Sequence, residues 1–323
     1  MGATEFELIR YFTAPFRAPR PPGGPGDDCA VLEPSRGQLC VTTDAVVDGV
    51  HFTRRHFSYD DIGHKALAVN LSDLAAMGAR PAWFVCAIGL PRGIEVSAVR
   101  AIARGMARLA KAQRVALVGG NFTSAPQLSL TLTAAGEVPR GAALQRGGGR
   151  AGDALYVSGV LGDARLGLAC LGMARAPHAQ ARQRRPHPRV RLGLLSRRFA
   201  TACIDISDGL AGDLGHLREA SRAGAEVDLG RLPVSRELRA SAGDDAWRWA
   251  LAGGEDYELL IAVPARRAAA FERACRAARE RVTRIGRLTG GTALVFRHPG
   301  GRRVRPPRSF DHFAQFDGAV SGS

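Results

Sequence analysis

Aspartate recurs in four short apolar settings along this chain, and no other feature narrows its possible folds as much. The stretches are "GDDCAVL" with Asp27 and Asp28, "VTTDAVVDGVHF" with Asp44 and Asp48, "NLSDLAAMGA" with Asp73, and "CIDISDGLAGDL" with Asp205, Asp208 and Asp213. Taking a carboxylate out of water is costly unless a partner offsets the loss. In the last stretch, Ala202 to Ile206 reads as a buried strand, and Leu210, Leu214 and Leu217 form the apolar stripe of a following helix. Ser207 or Asp208 is expected to cap that helix. The acids then fall where a strand ends and a helix begins, the edge at which α/β proteins gather ligands. Caps and solvated acids would account for this stretch alone. They do not account for Asp73, which sits inside an apolar helical run, three residues after Asn70 and on the same face.

The surrounding pattern alternates strands and helices. "QLCVTTDAV" is expected as a strand, and Ser58 with Asp61 marks a helix start that Gly78 and Pro81 end. "AWFVCAIGLP", "RVALVGG" and "QLSLTLTAAGEV" read as further strands, with an amphipathic helix on Val96, Val99, Ile102, Met106 and Leu109 between them. A composition break at "RGGGRAGD" suggests two domains, 1–147 and 148–323, in a chain of 323 residues. The second half restarts with "ALYVSG" and carries an Arg- and Pro-rich segment near Arg175 to Pro188, expected to be an exposed loop. The fold class is α/β in the broad sense (α+β), with two domains.

Composition excludes several classes. No apolar run is long enough to span a bilayer, and the N-terminus lacks a basic region followed by an apolar stretch, so a cytoplasmic protein is expected. The six cysteines lack C-x-x-C spacing, which argues against zinc. The net charge of +15 is almost all arginine and is spread along the chain, while aromatics are only 6%, so specific nucleic-acid binding is not expected. There is no G-x-x-x-x-G-K-[ST] phosphate loop and no protein-kinase motif set. Carboxylates, hydroxyls and an amide are hard oxygen donors suited to Mg²⁺, which commonly bridges carboxylates to substrate phosphates. This chemistry ties Asp28, Asp44, Asp73, Asp205 and Asp208 into one candidate site.

"GDDCAVL", "TTDAVVDGVHF", "KALAVNLSDLAAMGARPAWF", "IDISDGLAGDLGHL", "GGEDYEL" and "FDHF" occur in the order seen in thiamine-monophosphate kinases, and the chain resembles that family from about Glu5 to Phe313. "NLSDLAAMGA" with "DISDGL" also marks the wider superfamily of aminoimidazole ribonucleotide synthetase and selenophosphate synthetase. The resemblance implies ATP-dependent, direct in-line phosphorylation of thiamine monophosphate to thiamine diphosphate, with several Mg²⁺ ions. It also implies a homodimer in which an N-terminal mixed sheet forms a barrel across two copies, followed by a C-terminal α/β domain. Carried over by motif, Asp28, Thr42, Thr43, Asp44, Asp73, Asn121, Asp205 and Asp208 are the implied metal ligands, of which Asp44, Asp73, Asp205 and Asp208 are catalytic. Gly120, Asn121, Arg146 and Ser207 are the implied ATP contacts, and His51, Glu255 and Phe310 the acceptor contacts.

Three departures stand out. "GGN" replaces the family's Gly-Gly-Asp at Gly119 to Asn121, Thr42 replaces a serine, and the basic segment around Arg182 to Arg191 is longer. Two other readings stay open: a ribonucleotide-cyclising synthetase of the same superfamily, and a basic RNA-binding or regulatory protein that keeps the fold without catalysis.

Overall fold

The computed structural model describes residues 4–16, 32, 37–298 and 300–306, so the expectations for Asp28 and Phe310 lie outside the described residues. The first half comprises α1 (Glu5–Thr13), β1 (Gln38–Val47), α2 (Tyr59–Ala76), β2 (Arg80–Leu90), α3 (Val96–Gln113), β3 (Ala116–Ser124) and β4 (Ser129–Val138). Its sheet runs β1-β4-β2-β3, antiparallel except for the β2–β3 pair. β1 and β3 are its open edges, so no barrel closes within one chain.

The second half comprises β5 (Ala154–Ser158), α4 (Asp163–Ala169), α5 (Pro177–Arg184), α6 (Val190–Ser196), β6 (Ala202–Ile206), α7 (Leu210–Ala220) and β7 (Gly224–Asp228). It continues with α8 (Arg236–Ala242), α9 (Ala246–Ala252), β8 (Glu258–Val263), α10 (Ala265–Ala277), β9 (Val282–Thr289), β10 (Leu294–Arg297) and β11 (Arg303–Val304). Its sheet order is β11-β10-β7-β9-β5-β8-β6, which leaves β6 at an edge. Between the two sheets, 139–153 form neither helix nor strand.

α2 is the element that joins the halves. The expected capping box starts it: Asp61 N donates to Ser58 Oγ at 3.1 Å, and Ser58 N donates to the Asp61 carboxylate at 3.3 Å. Thirteen of its 18 residues are buried, which an amphipathic surface helix would not allow. It packs against β1, β4, β6 and α6, and its leucines share one core with residues of β5, β8 and α10. Gly63 makes the α2–α3 crossing possible, because a Cβ there would meet the Ile102 carbonyl oxygen at 2.0 Å.

Two local expectations are corrected. α7 is entered through Gly209 at φ 104, with no side-chain cap, so neither Ser207 nor Asp208 caps it. Asp213, one turn inside, instead accepts the Asp208 N–H at 3.2 Å. The Arg- and Pro-rich segment is not a solvated loop: it forms α5 and the turn leading into α6, and it is pinned by ion pairs. Arg182 and Arg189 converge on the fully buried Glu258, each with an N–O distance of 2.6 Å, and Ser158 Oγ donates to the same carboxylate. Arg185 pairs with Asp60 and Asp61 at the start of α2.

Candidate active site

β1, α2 and β6 bring the central acids together. Strand alternation sends Thr42 and Asp44 to the face of β1 that meets α2, because their row partners Ala134, Phe84, Leu132 and Cys86 are all buried. Thr42 Oγ1 donates to Asp73 Oδ2 at 2.5 Å. One residue earlier on α2, Ser72 Oγ donates to Asp205 Oδ2 at 2.8 Å. A single helix therefore fixes one carboxylate directly and orients another from β6.

Arg146 reaches this group through the open edge of β6. Cys203 N donates to the Gln145 carbonyl at 3.0 Å, which lays the interdomain segment along the strand. Thr42, Asp73, Arg146 and Asp205 then line a cavity of about 580 Å³, with Cys40, Ala76 and Met77 among its apolar walls. A second cavity of about 450 Å³ is lined by Asp44, His51, Gln183, Ser207, Asp208, Glu255 and Tyr257.

The second cavity is held by a strained loop. Glu255 and Tyr257 adopt φ values of 68° and 50°, a region that costs non-glycine residues energy and that clusters at functional sites. Their backbone N–H groups donate to the carbonyls of Ser207 (2.7 Å) and Ile206 (2.9 Å), strapping "GGEDY" onto the end of β6. Asp256 faces away and accepts the Gly162 and Ala164 N–H groups, anchoring the loop to the start of α4. Lys65, only 1% exposed, reaches out of α2 to Glu255 Oε1 at 2.6 Å and to the His51 carbonyl at 3.0 Å. His51 Nδ1 accepts the Val47 N–H at 3.2 Å, which leaves the ring proton on Nε2 in the neutral tautomer.

Not every candidate from the sequence joins the group. Thr43 points to the opposite face of β1, where its hydroxyl donates to the Leu132 carbonyl at 2.9 Å. Gly120 and Asn121 lie exposed on β3, at the far edge of the sheet. Three strand spacings separate them from β1, about 14 Å. Asn121 shares a row with Ala87, Thr131 and Ala45, hence the face opposite Asp44. Within one chain, Asn121 and the Thr43 side chain are therefore not partners of Asp73. Ser72, Lys65 and Gln183 were missed. Lys65 had a signal, being one of two lysines in the chain and set within an apolar helix.

The donor set fits Mg²⁺. Burial, then the charge of Asp73, pushes Asp205 well above the usual carboxylate range, and burial raises Asp73 despite its Thr42 hydrogen bond and nearby Arg146. Asp213 is pushed up to about 8 by burial and by Asp205 and Asp208. Such a group of mutually repelling oxygens is what a bound divalent cation would relieve. Among the described residues, no three His, Cys, Asp or Glu side chains form a ready-made cage.

A stability prediction follows from these shifts. Asp213 titrates near 8 when folded and near 4 when unfolded. Between those values the folded state holds a proton that the unfolded state has lost. Relative to an Asp213→Asn variant, the metal-free protein is therefore expected to lose stability as pH rises from about 4 to about 8, with Mg²⁺ flattening the decline. Urea midpoints of both proteins in EDTA and in Mg²⁺ across that range check it, and a metal-free difference that does not change with pH would contradict it.

Comparison with known proteins decides the family. Residues 26–138 match the AIR synthase related protein N-terminal domain, and 150–298 match the corresponding C-terminal domain. The thiamine-monophosphate kinase of Escherichia coli (strain K12) is 40% identical over 326 residues, covering 97% of this chain and 99% of that protein. The chain belongs to the thiamine-monophosphate kinase family. The crystal structure of the family member from Stenotrophomonas maltophilia K279a superposes with a TM-score of 0.82 at 42% identity, covering 90% of this chain and 94% of that one. A further kinase structure of the family, AaThiL complexed with AMPPCP and TMP, gives a TM-score of 0.77 at 32% identity over 95% of both chains. The matched ranges include Asp44, Asp73, Asp205 and Asp208 and the lining of the second cavity, while Gly141, Ala143, Gln145 and Arg146 of the first lie between them.

Proposed function

We propose that this chain transfers the γ-phosphoryl group of ATP directly to the phosphate of thiamine monophosphate, giving thiamine diphosphate and ADP. The observation that carries the reading is a pair of cavities lined by one group of acids, Asp73 and Asp205 in the larger and Asp44 and Asp208 in the smaller. Two anionic substrates entering from opposite sides would bring their phosphates together at those acids. An acceptor phosphate is already ionised near neutrality, so the site needs alignment and charge neutralisation rather than a strong base.

The larger cavity suits the nucleotide: Cys40, Ala76 and Met77 offer an apolar wall, and Arg146 a planar fork for phosphate oxygens. The smaller one suits thiamine monophosphate, with His51 Nε2 placed to donate to the acceptor phosphate. Ser207 lines this second cavity rather than the first, at the turn between β6 and α7. Asp44, Asp73, Asp205 and Asp208, with the Thr42 hydroxyl, are the proposed Mg²⁺ ligands. Bound Mg²⁺ would neutralise the charge that builds on the transferring phosphoryl group.

A homodimer is part of this proposal. The outer face of the four-stranded sheet exposes Leu39 (47%) and Val41 (57%), apolar side chains that a second copy would cover. Asn121 is on that same face, so in a dimer it stands near the partner's sheet rather than its own acids. The proposed compartment is the cytoplasm, in keeping with five free cysteines among the described residues. No described helix is long and apolar enough to cross a membrane.

Purified protein incubated with ATP, Mg²⁺ and thiamine monophosphate is expected to form thiamine diphosphate and ADP in equal amounts, and to sediment at twice the mass of one chain. ADP without thiamine diphosphate would refute the acceptor assignment, and a monomer that is fully active would refute the dimer.

A further inference from the structure

A third cavity, of about 620 Å³, lies in the second half of the chain and shares no lining residue with the two already described. Five arginines line it: Arg182 from α5, Arg189 just before α6, Arg236 at the start of α8, and Arg279 and Arg281 between α10 and β9. Glu280 is the one acid in the lining, and Arg191 stands 3.8 Å from it. Among the described residues, Arg236, Arg279 and Arg281 form no ion pair. Like charges brought together repel, and this group lacks a counter-charge of its own.

The remaining two arginines are held in place. The fully buried Glu258 accepts from Nη2 of Arg182 and from Nε and Nη2 of Arg189, each at 2.6 Å. Arg182 Nε and Nη1 and Arg189 Nη1 are left with no acceptor among the described residues, and they are not sealed from solvent. The approach depends on Gly159, where a Cβ would meet Glu258 Oε1 at 2.1 Å and Arg189 Nη2 at 2.6 Å. One buried carboxylate thus fixes two guanidinium forks whose other N–H groups stay accessible. Such forks match phosphate oxygens, and forks already fixed lose little freedom when an anion binds.

We infer that this cavity binds an organic diphosphate, apart from the two proposed substrate cavities. The inference goes beyond the kinase reading and does not depend on it. A diphosphate carries more charge and more acceptor oxygens than a single phosphate, which suits five guanidinium groups. Val160 and Val234 also line the cavity, and its volume leaves room for an organic group beside the phosphates.

The test is calorimetric titration of the full chain in EDTA with inorganic diphosphate, ADP and thiamine diphosphate in turn. Without metal, the acids of the other cavities repel these anions, so the arginine cavity dominates. ADP or thiamine diphosphate is expected to bind at one site per chain, more tightly than inorganic diphosphate, and the tighter of the two names the source. Arg279→Asn combined with Arg281→Ser should weaken that binding by about tenfold or more. Both side chains are exposed, and asparagine tolerates the φ of 56° at position 279, so this variant should fold. Arg146→Ser should leave the affinity unchanged. So should Arg92→Ser combined with Arg104→Ser, which removes the same charge from the exposed surface of the first half. Equal weakening by that remote pair would reduce the effect to net charge and overturn the site. The site is also overturned if the change at 279 and 281 leaves binding intact, or if Arg146→Ser abolishes it. Inorganic diphosphate binding tightest of the three would overturn the organic assignment.

Discussion

Asp205→Asn is expected to reduce kcat at least a thousandfold while leaving the metal-free protein as stable as before, or more stable. The loss corresponds to about 4 kcal/mol of transition-state stabilisation. It follows from replacing a charged oxygen donor by a neutral one at the proposed meeting point of the ATP triphosphate and the single acceptor phosphate. The stability half follows from the environment of the side chain. Asp205 is 5% exposed, and burial and the Asp73 charge both oppose its ionisation. An amide removes that conflict, and its oxygen can still accept from Ser72, whose hydroxyl lies 2.8 Å from Oδ2. A residue whose charge serves the fold would show the opposite sign. The check is a pair of measurements on one preparation: single-turnover rates at saturating Mg²⁺, and thermal melting in EDTA at about pH 8. A variant that melts well below the parent while retaining a tenth of its rate would remove Asp205 from the catalytic set.

Much of this site was legible from the chain alone, because the acids sit in local patterns that declare themselves. Asp73 in an apolar helix and Asp205 at the end of an apolar strand each demanded a partner, and α2 lies against both β1 and β6. The start of α2 was readable because Ser58 and Asp61 are three residues apart. Strand parity was equally available: in "TTD", alternation cannot send Thr42, Thr43 and Asp44 to one side, and Thr43 does turn away. Asn121 was harder. Its distance from the acids is set by strand order, and nothing local in "VGGNF" reveals that β3 is the far edge.

The basic segment was misread for a related reason. Arg182, Arg185 and Arg189 look solvated in sequence because no acid stands near them in "ARQRRPHPRVR". Their partners are Glu258, Asp60 and Asp61, far along the chain in both directions. Charge composition reports on solvation only when the counter-charge is local. Gln183 was hidden by the same segment, since a glutamine among arginines gives no sign of being almost fully buried.

Glu258→Ala should expose how much that hidden pairing matters. The carboxylate is fully buried on β8, two guanidinium groups hold it bidentately and from the side, and Ser158 donates to it as well. Removing one partner of a buried ion pair costs about 3–5 kcal/mol, because the opposite charge is left without compensation. Here the lower end applies: Arg182 and Arg189 keep 15% and 20% of their side-chain surface exposed, so water relieves part of the penalty. Urea denaturation should therefore show a loss of about 3 kcal/mol. The double variant Glu258→Ala, Arg189→Ala should cost less than the two single losses added together, since each single change orphans the other's partner. Additive losses would mean the groups do not interact. The consequence reaches the active site, because Arg182 immediately precedes Gln183 on α5. With α5 untethered, the KM for thiamine monophosphate should rise while that for ATP stays put, since the larger cavity, proposed for the nucleotide, has no wall from α5.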